Sequence, residues 1–80
     1  GNYPDMCSIQ AAYLSGKKNK KNIILKSKKW KTFLNKKKLK ANKKHNFYSK
    51  LFKNSKVNYI RVNIFPDGGI SRIRVFGRAK

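Results

Sequence analysis

Alternating apolar and polar residues predict a β-strand near the start of the chain. In the stretch CSIQAAYL, residues 7–14, one strand face carries Cys7, Ile9, Ala11 and Tyr13. The other face carries a mixed set: Ser8, Gln10, Ala12 and Leu14. Because apolar residues occur on both faces, we expect a strand that is buried largely on both sides. The turn-rich tetrapeptide NYPD precedes it.

A second alternating region, near the end of the chain, predicts a β-hairpin. In VNYIRVNIF, residues 57–65, Ile60, Val62 and Ile64 share one face, whereas Tyr59, Arg61 and Asn63 share the other. The tetrapeptide PDGG follows, in which proline fixes φ and two glycines tolerate positive φ, so a tight turn is expected. The stretch ISRIRVFG, residues 70–77, supplies the second strand and places its two arginines on one face. Since an isolated hairpin is marginally stable in water, it needs a larger sheet.

The middle of the chain is rich in lysine and asparagine. Residues 17–56 contain seventeen lysines, six asparagines and no Asp or Glu. Trp30, Phe33 and Leu34 have the i, i+3, i+4 spacing of one helix face. Because lysines interrupt the apolar positions throughout, we expect a short helical turn or an irregular connection with buried aromatic anchors, and no long amphipathic helix.

Length and charge limit what the chain can be. Eighty residues allow one small domain, and the net charge of +20 belongs mainly to the middle segment. No apolar run approaches the roughly 20 residues that a membrane span needs, so no membrane partner is expected. The single cysteine, Cys7, fits a reducing compartment, and we expect a cytoplasmic location. The chain does not begin with Met, which suggests a piece of a longer protein.

Three blocks of the sequence resemble the allantoicase family. The stretch YIRVNIFPDGGISRIRVFG is similar to the closing hairpin of that family, which reads His-Val-Arg-Leu-Asn-Ile-Tyr-Pro-Asp-Gly-Gly and then Arg-Leu-Arg-Val-Tyr-Gly. The opening GNYPDMCSIQAAYL resembles the family's Gly-Asn-(Tyr/His/Phe)-Pro stretch and its Cys/Ser-Ile/Val-Gln/Glu-Ala strand. Between these blocks, the family's spacing of aromatic, leucine and histidine positions is matched by Trp30, Phe33, Leu34, Leu39, His45 and Phe47. The departures lie mainly in KKNKKNIILKSKK, which looks like an expanded loop.

The resemblance implies a fold, a place in that fold and an activity. The implied fold is all-β, a galactose-binding-like jelly-roll β-sandwich with a Lys/Asn-rich loop insertion. Residues 1–80 correspond to the C-terminal part of one such domain, with a strand in 1–16, a connection in 17–56 and the closing hairpin in 57–77. The implied activity is hydrolysis of allantoate to ureidoglycolate and urea in purine breakdown. A sandwich fold alone says nothing about chemistry.

A site for allantoate needs groups that match a carboxylate and two ureido groups. A fixed guanidinium suits the carboxylate, so the substrate-binding candidates are Arg61, Arg72 and Arg74, with Asn63 beside Arg61. The alternative is that these arginines form the solvated or interface face of an edge hairpin, an alternative that is stronger for Arg72 and Arg74 than for Arg61. Hydrolysis also needs a base or a metal, and the candidate bases are His45 and Asp67, although an Asp in PDGG commonly bonds its own turn. The sequence shows no metal-ligand spacing and identifies no cofactor, and we expect the fragment alone to be inactive.

Two other functions stay open alongside the enzymatic one. Lysines interleaved with Trp30, Phe33, Phe47 and Tyr48 could bind nucleic acid or another polyanion, and nonspecific binding at low salt is expected of such a segment. The chain could also be an inactive remnant that keeps the sandwich and has lost the site. A homo-oligomer is left open.

Overall fold

The computed structural model describes residues 6–16, 19–66 and 71–78, and in these ranges the chain forms one antiparallel sheet with helices against it. The elements in chain order are β1 (Met6–Ala12), α1 (Lys20–Lys26), a 3-10 turn (Ser27–Lys29), β2 (Lys31–Lys38), α2 (Ala41–Asn54), β3 (Tyr59–Phe65) and β4 (Arg72–Gly77). The strand order is β2-β1-β3-β4, and every neighbouring pair is antiparallel. The sheet confirms the predicted all-β class.

The two central strands, β1 and β3, carry the core. They pair without irregularity from Met6 opposite Phe65 to Ala12 opposite Tyr59. The face that we call the α2 face contributes fully buried apolar side chains from both strands: Cys7, Ile9, Ala11, Ile60 and Val62. The opposite face, which we call the polar face, carries Ser8, Gln10, Tyr59, Arg61 and Asn63. Alternation therefore positions one apolar and one polar layer, as strand geometry requires.

The strands predicted at the two ends are present, with shifted limits for the first. β1 begins at Met6 and ends at Ala12, and Tyr13 lies beyond its end with 55% of its surface exposed. The α2-face residues of β1 are fully buried, whereas the residues on its polar face are half-buried. β3 and β4 pair from Tyr59 opposite Gly77 to Ile64 opposite Arg72. Of the turn between them, residues 67–70 lie outside the described ranges.

Helix α2 covers the α2 face, and the expectation of an irregular connection in this part of the chain is wrong. Its half-buried Phe47, Tyr48 and Phe52 and its buried Leu51 pack against the core. Lys43, Lys50 and Lys53 are exposed, whereas the half-buried Lys44 lies one turn before Phe47 and Tyr48 on the packed side of the helix. The residue preceding the helix, Lys40, provides no side-chain cap, and the first turn contains no acidic residue. The helix therefore depends on tertiary packing more than on local signals.

Strand β2 occupies the segment in which a helical turn was predicted. Trp30 ends the 3-10 turn in an extended conformation, and Lys31–Lys38 then pairs with β1, placing Leu34 opposite Ile9. The pairing contains two irregularities, which obscure strand alternation in the sequence. The i, i+3, i+4 prediction is wrong here because pairing with β1 fixes the backbone. Two lysines of this edge strand lie over aromatic rings, with Lys31 Nζ 5.4 Å from the Phe33 centroid and Lys36 Nζ 4.4 Å from that of Phe65.

The buried Cys7 thiol and the half-buried Tyr48 hydroxyl predict that the stability of the fold depends on pH. Burial raises the pKa of the Cys7 thiol, an effect partly offset by Lys44, and burial with the Cys7 charge raises the pKa of Tyr48. Both groups therefore lose their protons more readily in the unfolded chain than in the folded one. Their contribution to the free energy of unfolding is complete below the unfolded thiol pKa of about 8.5, and it is lost as the pH rises through the higher pKa values of the folded state.

We expect the stability difference between the native protein and its Cys7→Ala variant to shrink from pH 8 to pH 9.5. Urea unfolding of both proteins measures it, and lysine titration cancels because it is common to both. A difference that stays constant over this range would show that the thiol stays as acidic in the folded protein as in the unfolded chain.

Candidate functional site

Arg61 lies at the centre of the polar face and is almost entirely buried. Only 7% of its surface is exposed, because the 3-10 turn packs over it. Its Nε donates a hydrogen bond to Asn63 Oδ1 at 2.8 Å, and its Nη1 donates to Ser27 Oγ at 2.6 Å. Ser27 is itself fully buried, and its hydroxyl donates to the carbonyl oxygen of Ile24 at the end of α1. The guanidinium thus fastens the 3-10 turn to the middle of the sheet.

Asn63 extends these contacts across the sheet to β1. Its Nδ2 donates to Gln10 Oε1 at 2.9 Å and to Ser8 Oγ at 3.1 Å. Gln10 Nε2 in turn donates to the carbonyl oxygens of Lys28 and Trp30, at 2.9 and 3.0 Å. The resulting set of connected side chains, which we call the Arg61 network, consists of Ser8, Gln10, Ser27, Arg61 and Asn63.

The charge of Arg61 is not balanced by a carboxylate in the described part of the chain. The whole sequence contains two acidic residues, Asp5 and Asp67, and both lie outside the described ranges. The partners of the guanidinium are neutral oxygens, and burial lowers its pKa. Within the described residues, its Nη2 donates no hydrogen bond. An anion at this position would relieve the electrostatic cost of burying the cation.

The structure does not bring Arg72, Arg74 or His45 to Arg61. Arg72 and Arg74 pair with Ile64 and Val62, so they extend from the α2 face of the edge strand β4, and both are exposed. His45 is exposed on α2, across the sheet from Arg61. Asp67 lies outside the described ranges. Of the four substrate-binding candidates, only Arg61 and Asn63 are brought together.

Sequence reasoning missed the partners that complete the network. Gln10 and Ser8 were placed on one strand face, but nothing in the sequence pairs that face with Arg61. Ser27 lies in a lysine-rich stretch without any signal for burial. Ser27 reaches Arg61 because α1 and the 3-10 turn fold the chain back over the sheet.

Two clefts lie close to the network without including Arg61. A cleft of about 740 Å³ at the end of the sheet is lined by ten residues that include Lys56, Asn58, Tyr59 and Arg78. A second, of about 600 Å³, lies beside α1 and includes Lys26, Lys29 and Trp30. Trp30 and Tyr59 form the aromatic contact between them, with ring centroids 6.2 Å apart. Gln10 of the Arg61 network donates to the backbone of Trp30, so the network adjoins this aromatic pair.

The described residues offer little else for catalysis. Within residues 6–16, 19–66 and 71–78, no group of three or more His, Cys, Asp or Glu side chains could hold a metal ion. In the same ranges, neither helix combines the length and apolarity needed to cross a bilayer.

The fold and the network together define a class: an antiparallel β-sheet module with a buried arginine whose partners, among the described residues, are neutral. A family model described as "Allantoicase repeat" matches residues 1–80. Proteins named probable allantoicase from Stutzerimonas stutzeri (strain A1501) and Pseudomonas aeruginosa (strain LESB58) are 46% and 45% identical over 78 residues, in each case 98% of this chain. Probable allantoicase 1 of Burkholderia mallei (strain ATCC 23344) is 44% identical over 77 residues, or 96% of the chain.

The chain belongs to the allantoicase family. It spans 23% of the length of each of these three relatives. No solved structure matches the chain.

Proposed function

We propose that this chain is part of an enzyme that hydrolyses allantoate to ureidoglycolate and urea in allantoin catabolism. In this reaction water adds a hydroxyl group to the central carbon of allantoate, one carbon–nitrogen bond of that carbon breaks, and urea leaves with the remaining proton. The family match over the whole chain supports this proposal, as do the names of the relatives. The proposal includes a cytoplasmic location and a place for the chain as the C-terminal part of a galactose-binding-like jelly-roll domain.

Arg61 is the residue that we assign to the substrate carboxylate. The observation that carries this assignment is a buried guanidinium with neutral partners and with no carboxylate in the described part of the chain. A substrate carboxylate that accepts a charge-assisted hydrogen bond from Nη2 supplies the missing negative charge. The low dielectric of the site strengthens that pairing.

Asn63 acts as a positioning residue in this proposal. Its amide oxygen accepts from Arg61 and its amide nitrogen donates to Ser8 and Gln10, so both ends are used inside the protein. It fixes the plane of the guanidinium. Arg72 and Arg74 have no part here because they extend from the other face of the sheet.

The activation of water is assigned to residues outside the described part of this chain. His45 is across the sheet from Arg61, so neither it nor any other described base lies beside the proposed carboxylate site. Asp67 stays a candidate from the sequence. The chain by itself is therefore expected to release no urea from allantoate.

Replacing Arg61 by lysine in the full-length protein tests the assignment. Lysine keeps the charge but loses the planar fork, so about 1.5–3 kcal/mol of charge-assisted hydrogen bonding is lost. We expect KM for allantoate to rise at least about tenfold, since about 1.4 kcal/mol corresponds to a factor of ten, with a smaller change in kcat. Urea release at varied allantoate concentration gives both constants.

The matched control is Arg74→Lys, the same substitution at an exposed position on the other face, and we expect it to change KM by less than about twofold. Thermal melting establishes that each variant is folded. An unchanged KM in folded Arg61→Lys would contradict the assignment of Arg61 to the substrate carboxylate, but it would leave the proposed hydrolysis standing. If the folded native protein released no urea, hydrolysis itself would be wrong and the inactive-remnant hypothesis would stand.

A further inference from the structure

Ser27 is a fully buried serine in a stretch of exposed lysines, and its hydroxyl group meets the guanidinium of Arg61. In residues 19–29 the buried positions are Ile23 and Ser27, which are one helical turn apart and so lie on the same side of the segment. A polar side chain that is buried this completely needs hydrogen-bond partners, and Ser27 has two.

The hydroxyl group of Ser27 acts as an acceptor toward Arg61. A hydroxyl has one proton, and Ser27 donates its proton to the carbonyl oxygen of Ile24. The lone pairs of Ser27 Oγ therefore face Arg61 Nη1, which donates to this oxygen at 2.6 Å. The direction of this hydrogen bond is thus determined by the end of α1.

Gln10 fixes the position of the same hydroxyl from β1. Its Nε2 donates to the carbonyl oxygens of Lys28 and Trp30, which follow Ser27 in the chain. A shift of Ser27 relative to Arg61 would therefore strain the contacts of Gln10 as well. The 3-10 turn presents Ser27 Oγ to the guanidinium at a fixed place.

A neutral oxygen at this place holds the guanidinium without cancelling its charge. Ser27 accepts from Nη1 and Asn63 accepts from Nε, whereas Nη2 donates no hydrogen bond within the described residues. An aspartate in place of Ser27 would also accept from Nη1, but its own charge would pair with that of Arg61 and weaken the attraction for an anion from outside. Alanine would leave the charge available and would remove the acceptor that orients the guanidinium. Serine meets both requirements.

We propose that Ser27 is a specificity-determining residue: its hydroxyl positions the guanidinium of Arg61 and leaves the positive charge available to the carboxylate of allantoate. This inference rests on the proposed function, because allantoate supplies the carboxylate. It gives a role to a residue of the stretch KKNKKNIILKSKK, which looks like an expanded loop in the sequence alone.

The test compares Ser27→Asp with Ser27→Asn in the full-length protein, because the two new side chains have the same shape and differ in charge. We expect KM for allantoate to be at least about tenfold higher in the Asp variant, because its charge acts on the substrate carboxylate through protein of low dielectric. We also expect the Asp variant to melt no lower than the Asn variant, since its carboxylate pairs with Arg61. A purely structural role of Ser27 predicts instead that KM rises only where stability falls.

Ser49→Asp is the matched control, because Ser49 is exposed on α2, which packs on the other face of the sheet. We expect it to change KM by less than about twofold. Equal KM values in the folded Asp and Asn variants would overturn the proposal. If neither variant at position 27 folds, Asn63→Asp places a carboxylate of unchanged size on Arg61 Nε, and a KM equal to that of the native protein would overturn the proposal in the same way.

A second measurement separates this proposal from the proposed hydrolysis. If the native protein released no urea, hydrolysis would be wrong, and calorimetric titration with allantoate would then compare the dissociation constants of the same variants. We expect the Asp variant to bind at least about tenfold more weakly than the Asn variant, for the same electrostatic reason. Equal dissociation constants, or no binding to the native protein, would overturn the role of Ser27.

Discussion

Replacing Ile60 by alanine is expected to lower the free energy of unfolding by about 2–5 kcal/mol, because it removes buried methyl groups and leaves a cavity. Ile60 is fully buried at the centre of the α2 face, opposite Ala11 on one side and Phe76 on the other. Domains typically have only about 5–15 kcal/mol of stability in total. A chain of this size therefore loses a large share of its stability through this one change.

Urea unfolding followed by far-ultraviolet circular dichroism measures the effect. The matched control is Ile73→Ala, which makes the same change on the neighbouring strand, where 47% of the side-chain surface is exposed. We expect the control to cost clearly less, since much of that isoleucine already contacts water. Equal losses of unfolding free energy at the two positions would mean that Ile73 on the edge strand β4 is buried as deeply as Ile60 at the centre of the sheet.

Replacing Asn63 by alanine is expected to destabilise the protein by about 2–4 kcal/mol. The change removes the acceptor of the Arg61 Nε and leaves a buried charged donor unsatisfied, which by itself costs about 1–3 kcal/mol. It also removes the donors to Ser8 and Gln10. Because Gln10 holds the 3-10 turn through two carbonyl oxygens, we expect protection of the turn's amides from hydrogen exchange to fall as well.

Equilibrium unfolding and hydrogen exchange check this second prediction. Asn46→Ala provides the control, because Asn46 is exposed on α2 and alanine favours helix, so its effect should stay within about 0.5 kcal/mol. A double variant, Arg61→Met with Asn63→Ala, should cost less than the sum of the two single changes, since the charged donor is then absent. Additive costs would show that the two side chains do not act together.

The terminal strands were predictable from the sequence, whereas the elements between them were not. Alternation in residues 7–14 and 57–65 persists because each strand has one apolar face against the core. Helix α2 escaped prediction because Lys44 interrupts its apolar stripe and no side-chain cap marks its start. Trp30, Phe33 and Leu34 misled the interpretation because three positions of helical spacing also occur by chance in a strand with irregular pairing.

The candidate site was predictable only along one strand. Alternation placed Arg61 and Asn63 on the same face, and the structure joins them through Arg61 Nε. Alternation could not predict the contact of Arg61 with Ser27, 34 residues away, because that contact depends on how the lysine-rich segment folds back over the sheet. The register of β4 decides that Arg72 and Arg74 extend from the other face, and register depends on a turn whose length the pattern alone does not determine.

The strand order β2-β1-β3-β4 has a consequence for synthesis on the ribosome. β1 leaves the ribosome before its neighbour β3, which lies about fifty positions later, so at about 5–20 residues per second β1 lacks this pairing partner for several seconds. β2 and then α2 become available first, while the nascent chain carries many lysines and no acidic residue in 17–56. That like charge opposes aggregation between neighbouring nascent chains until β3 and β4 complete the sheet.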